Sequence, residues 1–195
     1  MGCGASASET KGSDAVVPST SPPSAPATPA PAPTSRFSCA MFSLDLGSEY
    51  EAQMREVYEI LKEQGCDVLI RDAADDGEMI EKRLSKIKEE EGVLLAVCTS
   101  NYAAFDGRPH NTYFELDFAY ENKVCVWPLR VENIYPPIPA WGTGRNSRDP
   151  SGNGPAIIAI AIGPKSDGVK MKCLDCRSQT AEEIAAAISK NLKRE

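Results

Sequence analysis

The chain has 195 residues with a formal charge of -7 from 21 basic and 28 acidic residues. That is one ordinary domain, or a smaller one with a tail. An acidic balance excludes the basic face that nucleic-acid phosphates require. No apolar run is long enough to cross a bilayer.

Seven of the fifteen prolines lie between Pro18 and Pro33, among Ala, Ser and Thr, with no bulky apolar residue from Val17 to Phe37. Residues 1–36 are therefore predicted to be a disordered Pro/Ala/Ser-rich arm that cannot bury enough surface to offset its ordering entropy. Its first residues, Met-Gly-Cys-Gly-Ala-Ser, match an acylation signal: Gly2 for myristoylation, with Ser6 at the required offset, and Cys3 beside it for palmitoylation. One acyl chain anchors only marginally. The arm carries no basic cluster, so Cys3 supplies the second signal, and the expected location is the cytoplasmic side of a membrane. The seven cysteines mostly sit in or beside apolar runs, with no secretory segment before them, which fits a reducing compartment.

From residue 37 to 195, apolar runs alternate with helical patterns, the signature of βα units. The first strand is predicted from Phe37 to Ser43. Ser48 and Glu51 then form a capping box for a helix with Met54, Val57, Tyr58 and Leu61 on one face. Val68 to Ile70 is a second strand, and the acidic loop Asp72 to Gly77 leads to a helix bearing Ile80, Leu84 and Ile87. Val93 to Thr99 is apolar enough to be the central strand, covered on both faces. A loop from Ser100 to Asn111 hands over to a helix with Phe114, Phe118 and Ala119. Val124 to Leu129 is the fourth strand, Pro128 marking the end of pairing. A long loop from Glu132 to Pro155 follows. Ala156 to Ile162 reads as either a short helix or a strand, and Val169 to Leu174 as the last strand. Thr180 to Leu192 is a final helix, with Thr180 and Glu183 as a capping box and Ile184, Ala187 and Ile188 inward. The predicted architecture is a flavodoxin-like, doubly wound, mostly parallel five-stranded sheet with helices on both faces.

In such sheets the ligand crevice lies beyond the carboxyl ends of the strands, where the strand order reverses. This places Ser43, Leu44 and Asp45 after the first strand, Thr99, Ser100, Asn101 and Tyr102 after the third, and the helix start at Glu115. No metal set is evident. Cys173 and Cys176 are a lone pair of thiols at metal spacing, without the further ligands a structural zinc needs. His110 reads as a solvent-facing loop residue. The Gly142 to Gly144 and Gly152 to Gly154 stretches lack the Lys-Ser or Lys-Thr of a phosphate loop.

Val97-Cys98-Thr99-Ser100-Asn101-Tyr102, then Tyr113-Phe114-Glu115-Leu116-Asp117-Phe118-Ala119, then Val126-Trp127-Pro128-Leu129 resemble the third strand, third helix and fourth strand of Toll/interleukin-1 receptor (TIR) domains. The resemblance covers about residues 37 to 131. It departs from the family in Asn111, four residues before the Glu where a Trp is common, and in the loop Phe105 to His110.

The resemblance implies a signalling module that self-associates or binds other TIR-like domains through the loop of Asp72, Asp75, Asp76 and Gly77. It also implies, for the enzymatic members, cleavage of the nicotinamide-ribose bond of NAD, with Glu115 as the catalytic acid. Ser43, Leu44, Asp45, Thr99, Ser100 and Tyr102 would then contact NAD as substrate, with no further cofactor. Breaking that bond develops an oxocarbenium ion that a fixed carboxylate stabilises. Three other readings stand beside this one: a non-catalytic TIR-type adaptor, another flavodoxin-like nucleotide- or nucleoside-processing enzyme, and a flavin binder, the last opposed by Asp45 where a phosphate would sit. For Glu115 itself the alternative is a capping box of Thr112 and Glu115.

Overall fold

The structure is a computed structural model that describes residues 36–107, 110–143, 148–164 and 168–193. The arm and its Gly2 and Cys3 acylation signal lie outside these residues. Five strands and five helices alternate: β1 (Cys39–Ser43), α1 (Glu51–Glu63), β2 (Asp67–Ile70), α2 (Gly77–Glu89), β3 (Val93–Cys98), α3 (Thr112–Glu121), β4 (Cys125–Arg130), α4 (Asn153–Ala161), β5 (Leu174–Asp175) and α5 (Ala181–Ser189). All pairings are parallel, in the order β2-β1-β3-β4-β5, which is the flavodoxin-like arrangement.

Every residue of β1 and β3 is buried, as continuous apolar strands at a sheet centre must be. Strand alternation sends their side chains into two layers. Phe42, Leu95, Trp127 and Leu129 pack with α1 and α5; Met41, Leu94, Ala96 and Val126 pack with α2, α3 and α4. Met54, Val57 and Leu61 of α1, and Ile80, Leu84 and Ile87 of α2, are the buried stripes their spacing requires.

Local details depart from the sequence-based expectations. β1 begins at Cys39, because Phe37 leaves the sheet ladder to form an isolated bridge with Leu192. The Ser48 capping box does not form. The Ser48 carbonyl accepts from Glu51 N in a turn ahead of the helix, the N-cap position falls on Tyr50, and Glu51 instead accepts from Gly47 N and Arg55.

Pro128 lies inside β4, opposite Ala96, and pairing continues to Arg130. Val126 N and O both bond toward the last strand, so in a parallel strand position 128 points its missing N–H the same way. Pairing there is interrupted, resuming at Leu129 with Leu174, so the proline removes no bond. β5 is accordingly two residues long, shorter than expected. Ala156 to Ala161 is helix, the end of α4, and Ile162 is its C-cap. The capping box of α5 is present in both directions, between Thr180 and Glu183; Ala185 is buried, and Ala187 is half-buried.

Candidate functional site

The carboxyl ends of β1 and β3 open on a cavity of about 340 Å³, lined by Asp45, Arg71, Asn101, Asp106, Asn111 and Thr112 among others. This is the reversal point of the strand order, since β1 pairs β2 on one side and β3 on the other. Its volume is at the small end of the range for ligand pockets.

A hydrogen-bonded frame shapes the cavity. Asp45, just beyond β1, accepts from Thr99 Oγ1 at 2.6 Å and from Thr112 Oγ1 at 3.1 Å, tying the ends of β1, β3 and α3 together. Thr112 Oγ1 also accepts from Ala103 N at 3.0 Å. Asn111 caps α3 through its side-chain oxygen, accepting from Phe114 N at 3.0 Å, while its Nδ2 donates to Asp106 at 2.9 Å and to the Ala104 carbonyl at 3.3 Å. One amide thus closes the loop and starts the helix. Two non-glycine residues of that loop, Ala103 and His110, hold φ of 57° and 61°, conformations that cluster where a site constrains the backbone.

Because Asn111 is the N-cap, Glu115 stands one residue past the position a capping box uses, and the expected Thr112–Glu115 box is absent. Thr112 turns to Asp45, and the Glu115 side chain is completely buried. Among the described residues neither of its oxygens is hydrogen-bonded, and its counter-charge is Arg71 Nη1, 3.8 Å away. Burial pushes the Glu115 carboxyl up to about 7, opposed by the neighbouring Ser43 hydroxyl and by Arg71, with Asp45 adding to the rise. The Ser43 hydroxyl lies close enough to favour the anion, yet its hydrogen bond is to Tyr102 Oη, at 3.0 Å. Burial raises the Tyr102 phenol well above its ordinary value, so it stays protonated.

The residues predicted to contact a ligand divide into two groups. Leu44 and Asp45 line the cavity. Thr99 and Ser100 line an adjoining hollow of about 380 Å³ that shares Asp45, Leu46 and Asn101 with it. Ser43 and Tyr102 are buried behind, beside Glu115. Six residues that sequence reading did not assign complete the cavity: Leu46, Arg71, Ala104, Asp106, Asn111 and Thr112. The available signal for Arg71 was its place at the carboxyl end of β2, the same edge of the sheet.

In the acidic loop, Asp72 pairs with Arg55 at 3.2 Å, Asp75 is clamped by both terminal nitrogens of Arg83, and Asp76 caps α2 by accepting from Met79 N at 2.9 Å. These carboxylates have partners within the domain. Gly77 lies directly beneath the His110 ring, and that ring stands edge-on to Phe114 at 5.0 Å. His110 is therefore packed against α2 and α3 instead of facing solvent.

Cys176 packs into the α1/α5 core and Cys173 lies beside Tyr135, and both thiols reach the Leu174 carbonyl at 3.7 Å. Among the described residues, no group of three His, Cys, Asp or Glu side chains could hold a metal ion, and no helix is long and apolar enough to cross a membrane.

The fold and the cavity together define a flavodoxin-like α/β domain with a buried acid behind a polar pocket at its switch point. Comparisons with protein-family models, with curated proteins and with solved structures return no match.

Proposed function

We propose that this domain breaks, or transfers across, the N-glycosidic bond of a nucleoside-type substrate, with Glu115 as the carboxylate that meets the sugar. The observation that carries this reading is an acid at 0% exposure, without a hydrogen bond, at the reversal point of the sheet beside a small polar cavity. A buried carboxyl whose counter-charge stands 3.8 Å away is costly to stability. Such groups cluster at functional sites, where a shifted proton affinity is part of the chemistry.

The chemistry follows from that placement. When the bond from C1′ to the base breaks, its electron pair leaves on the base nitrogen and positive charge develops on the ribosyl ring. In a water-excluded site a carboxylate stabilises that charge far better than bulk solvent does. It can also trap it covalently, as paired carboxylates do in retaining glycoside hydrolysis. Water, or a second base, then attacks C1′; in hydrolysis the water proton ends on the departed base. With its carboxyl near 7, Glu115 is part ionised and part protonated at neutral pH, matching one residue to successive acid and base duties. Asp45 is fixed by two hydroxyl donors at the cavity wall, which supports a role in orienting the sugar.

NAD contains the same kind of bond, and the resemblance to TIR domains makes it one substrate to test. The cavity volume favours the smaller nucleosides. In the TIR-like version, self-association and an acylated arm would concentrate copies at a membrane. The internal partners of Asp72, Asp75 and Asp76 weigh against docking through those carboxylates.

The test is base release. The full chain is incubated with ribonucleosides, deoxyribonucleosides and NAD, and free base is quantified by chromatography. Glu115→Gln keeps the shape and removes the charge, so turnover should fall by about a hundredfold or more. Equal release by both proteins, at the rate of a blank, would end this reading.

A further inference from the structure

Among the charged side chains lining the cavity, the two acids have hydrogen-bond donors. Asp45 accepts two hydroxyl bonds, and Asp106 accepts from Asn111. The cation is less well served: among the described residues Arg71 lines the cavity with its Nε–H buried and without an acceptor, and its ion pair is the 3.8 Å approach to Glu115. That distance is too long for a hydrogen bond. A planar guanidinium presents five donors in a fixed fork and has no way to become neutral. That N–H is sealed from solvent, so what the cavity offers an acceptor is the 21% of the Arg71 side chain that is exposed.

We infer that Arg71 is a specificity-determining residue that binds a carbonyl oxygen on the leaving base, selecting oxo-substituted over amino-substituted nucleosides, an inference that rests on the proposed N-glycosidic chemistry. Two arguments choose a base carbonyl over a phosphate. Asp45 and Asp106 line the same small cavity, and a phosphate dianion placed between them meets two like charges, whereas a neutral carbonyl meets none. The second argument is the pairing of Arg71 with Glu115. A cation and an anion 3.8 Å apart match a bond that breaks with negative charge gathering on the base and positive charge on the sugar.

The electron pair of the breaking C1′–N bond delocalises through the ring onto the carbonyl oxygen held by Arg71, while Glu115 faces C1′. An amino substituent at that place offers an N–H to a donor, leaving both unpaired. Sites that hydrogen-bond a substrate group reject the analogue that lacks it for this reason.

The experiment measures binding and turnover separately. Equilibrium binding of uridine and cytidine, and of inosine and adenosine, is measured on Glu115→Gln, which does not turn over, and on Glu115→Gln with Arg71→Gln. The oxo member of each pair should bind about tenfold tighter when Arg71 is present, and the preference should vanish without it. Arg71→Lys, which keeps the charge and loses the fork, should recover only part of it. Thermal melts of each variant establish that it is folded. No preference in the Arg71 background, a preference that survives Arg71→Gln, or no binding of any of the four nucleosides would each overturn the assignment. Base release by the wild-type chain decides the broader reading independently: release that ignores the base and Arg71 alike retains N-glycosidic chemistry and eliminates this inference.

Discussion

Replacing Glu115 with Gln should make the protein more stable, and by an amount that depends on pH. The carboxyl is fully buried and raised from an ordinary value of 4.5 to about 7, chiefly by desolvation. A group whose folded-state proton affinity exceeds its unfolded one favours the native state when protonated. That contribution is complete below about pH 4.5 and is lost as pH rises through 7. A difference of roughly 2.5 units at 1.36 kcal/mol per unit amounts to about 3 kcal/mol of destabilisation above pH 8. Gln has nearly the same shape and no charge to desolvate, so the variant escapes this loss. For a domain of about 160 residues, a gain of that size is on the order of 6 to 12 °C in Tm. Urea unfolding of wild type and Glu115→Gln from pH 4 to 9 reads the effect directly. Other titrating groups are common to both proteins and cancel in the difference. The gap should open between about pH 4.5 and 7 and level off above, with the variant ahead. A difference that stays flat across that range would mean the carboxyl is not desolvated, and the argument from burial to catalysis would lose its first step.

Two further substitutions test the frame around the acid. In Gly92→Ala, the new Cβ would lie 2.6 Å from Cys39 Sγ and 2.9 Å from the Cys39 carbonyl, both in the buried first strand; the expected cost is about 1 to 3 kcal/mol, and a Cm in urea equal to wild type would contradict it. Asn111→Ala removes the α3 cap and should cost about 1 kcal/mol, whereas Asn111→Ser keeps a capping oxygen and should recover most of it; identical melts for the two would show that the cap is not what Asn111 supplies.

Much of the architecture was legible because it depends on local periodicity. The stripes of Met54, Val57 and Leu61 and of Ile80, Leu84 and Ile87 sit at helical spacing, and the uninterrupted run from Val93 to Cys98 has no reading but a central strand. From that pattern alone the switch point could be placed, and with it Asp45, Thr99 and Glu115. What escaped depends on distant partners. Ala156 to Ile162 is apolar all round, so periodicity carries no information there, and α4 is decided by what it packs against. Pro128 is harmless only because of where the last strand pauses. Arg71 and Glu115 are separated by 44 positions, and nothing in either neighbourhood announces the other.

The cap of α3 is the most instructive of these cases, because the choice between Asn111 and Thr112 decides what Glu115 is free to do. Both residue types cap helices well, and Thr112 followed by Glu115 has the spacing of a capping box. Asp45 breaks the tie from across the sheet: its carboxylate claims the Thr112 hydroxyl, which draws that residue into the first turn and leaves the cap to Asn111. Once Asn111 serves the helix end, the acid is no longer needed there, and helical geometry carries it round to the carboxyl edge of β1 and into the ground beside Ser43 and Tyr102. The same hydrogen bond that shapes the cavity therefore releases the acid behind it. A substitution at Asp45 should consequently act in two places at once, loosening the pocket and disturbing the helix that holds Glu115.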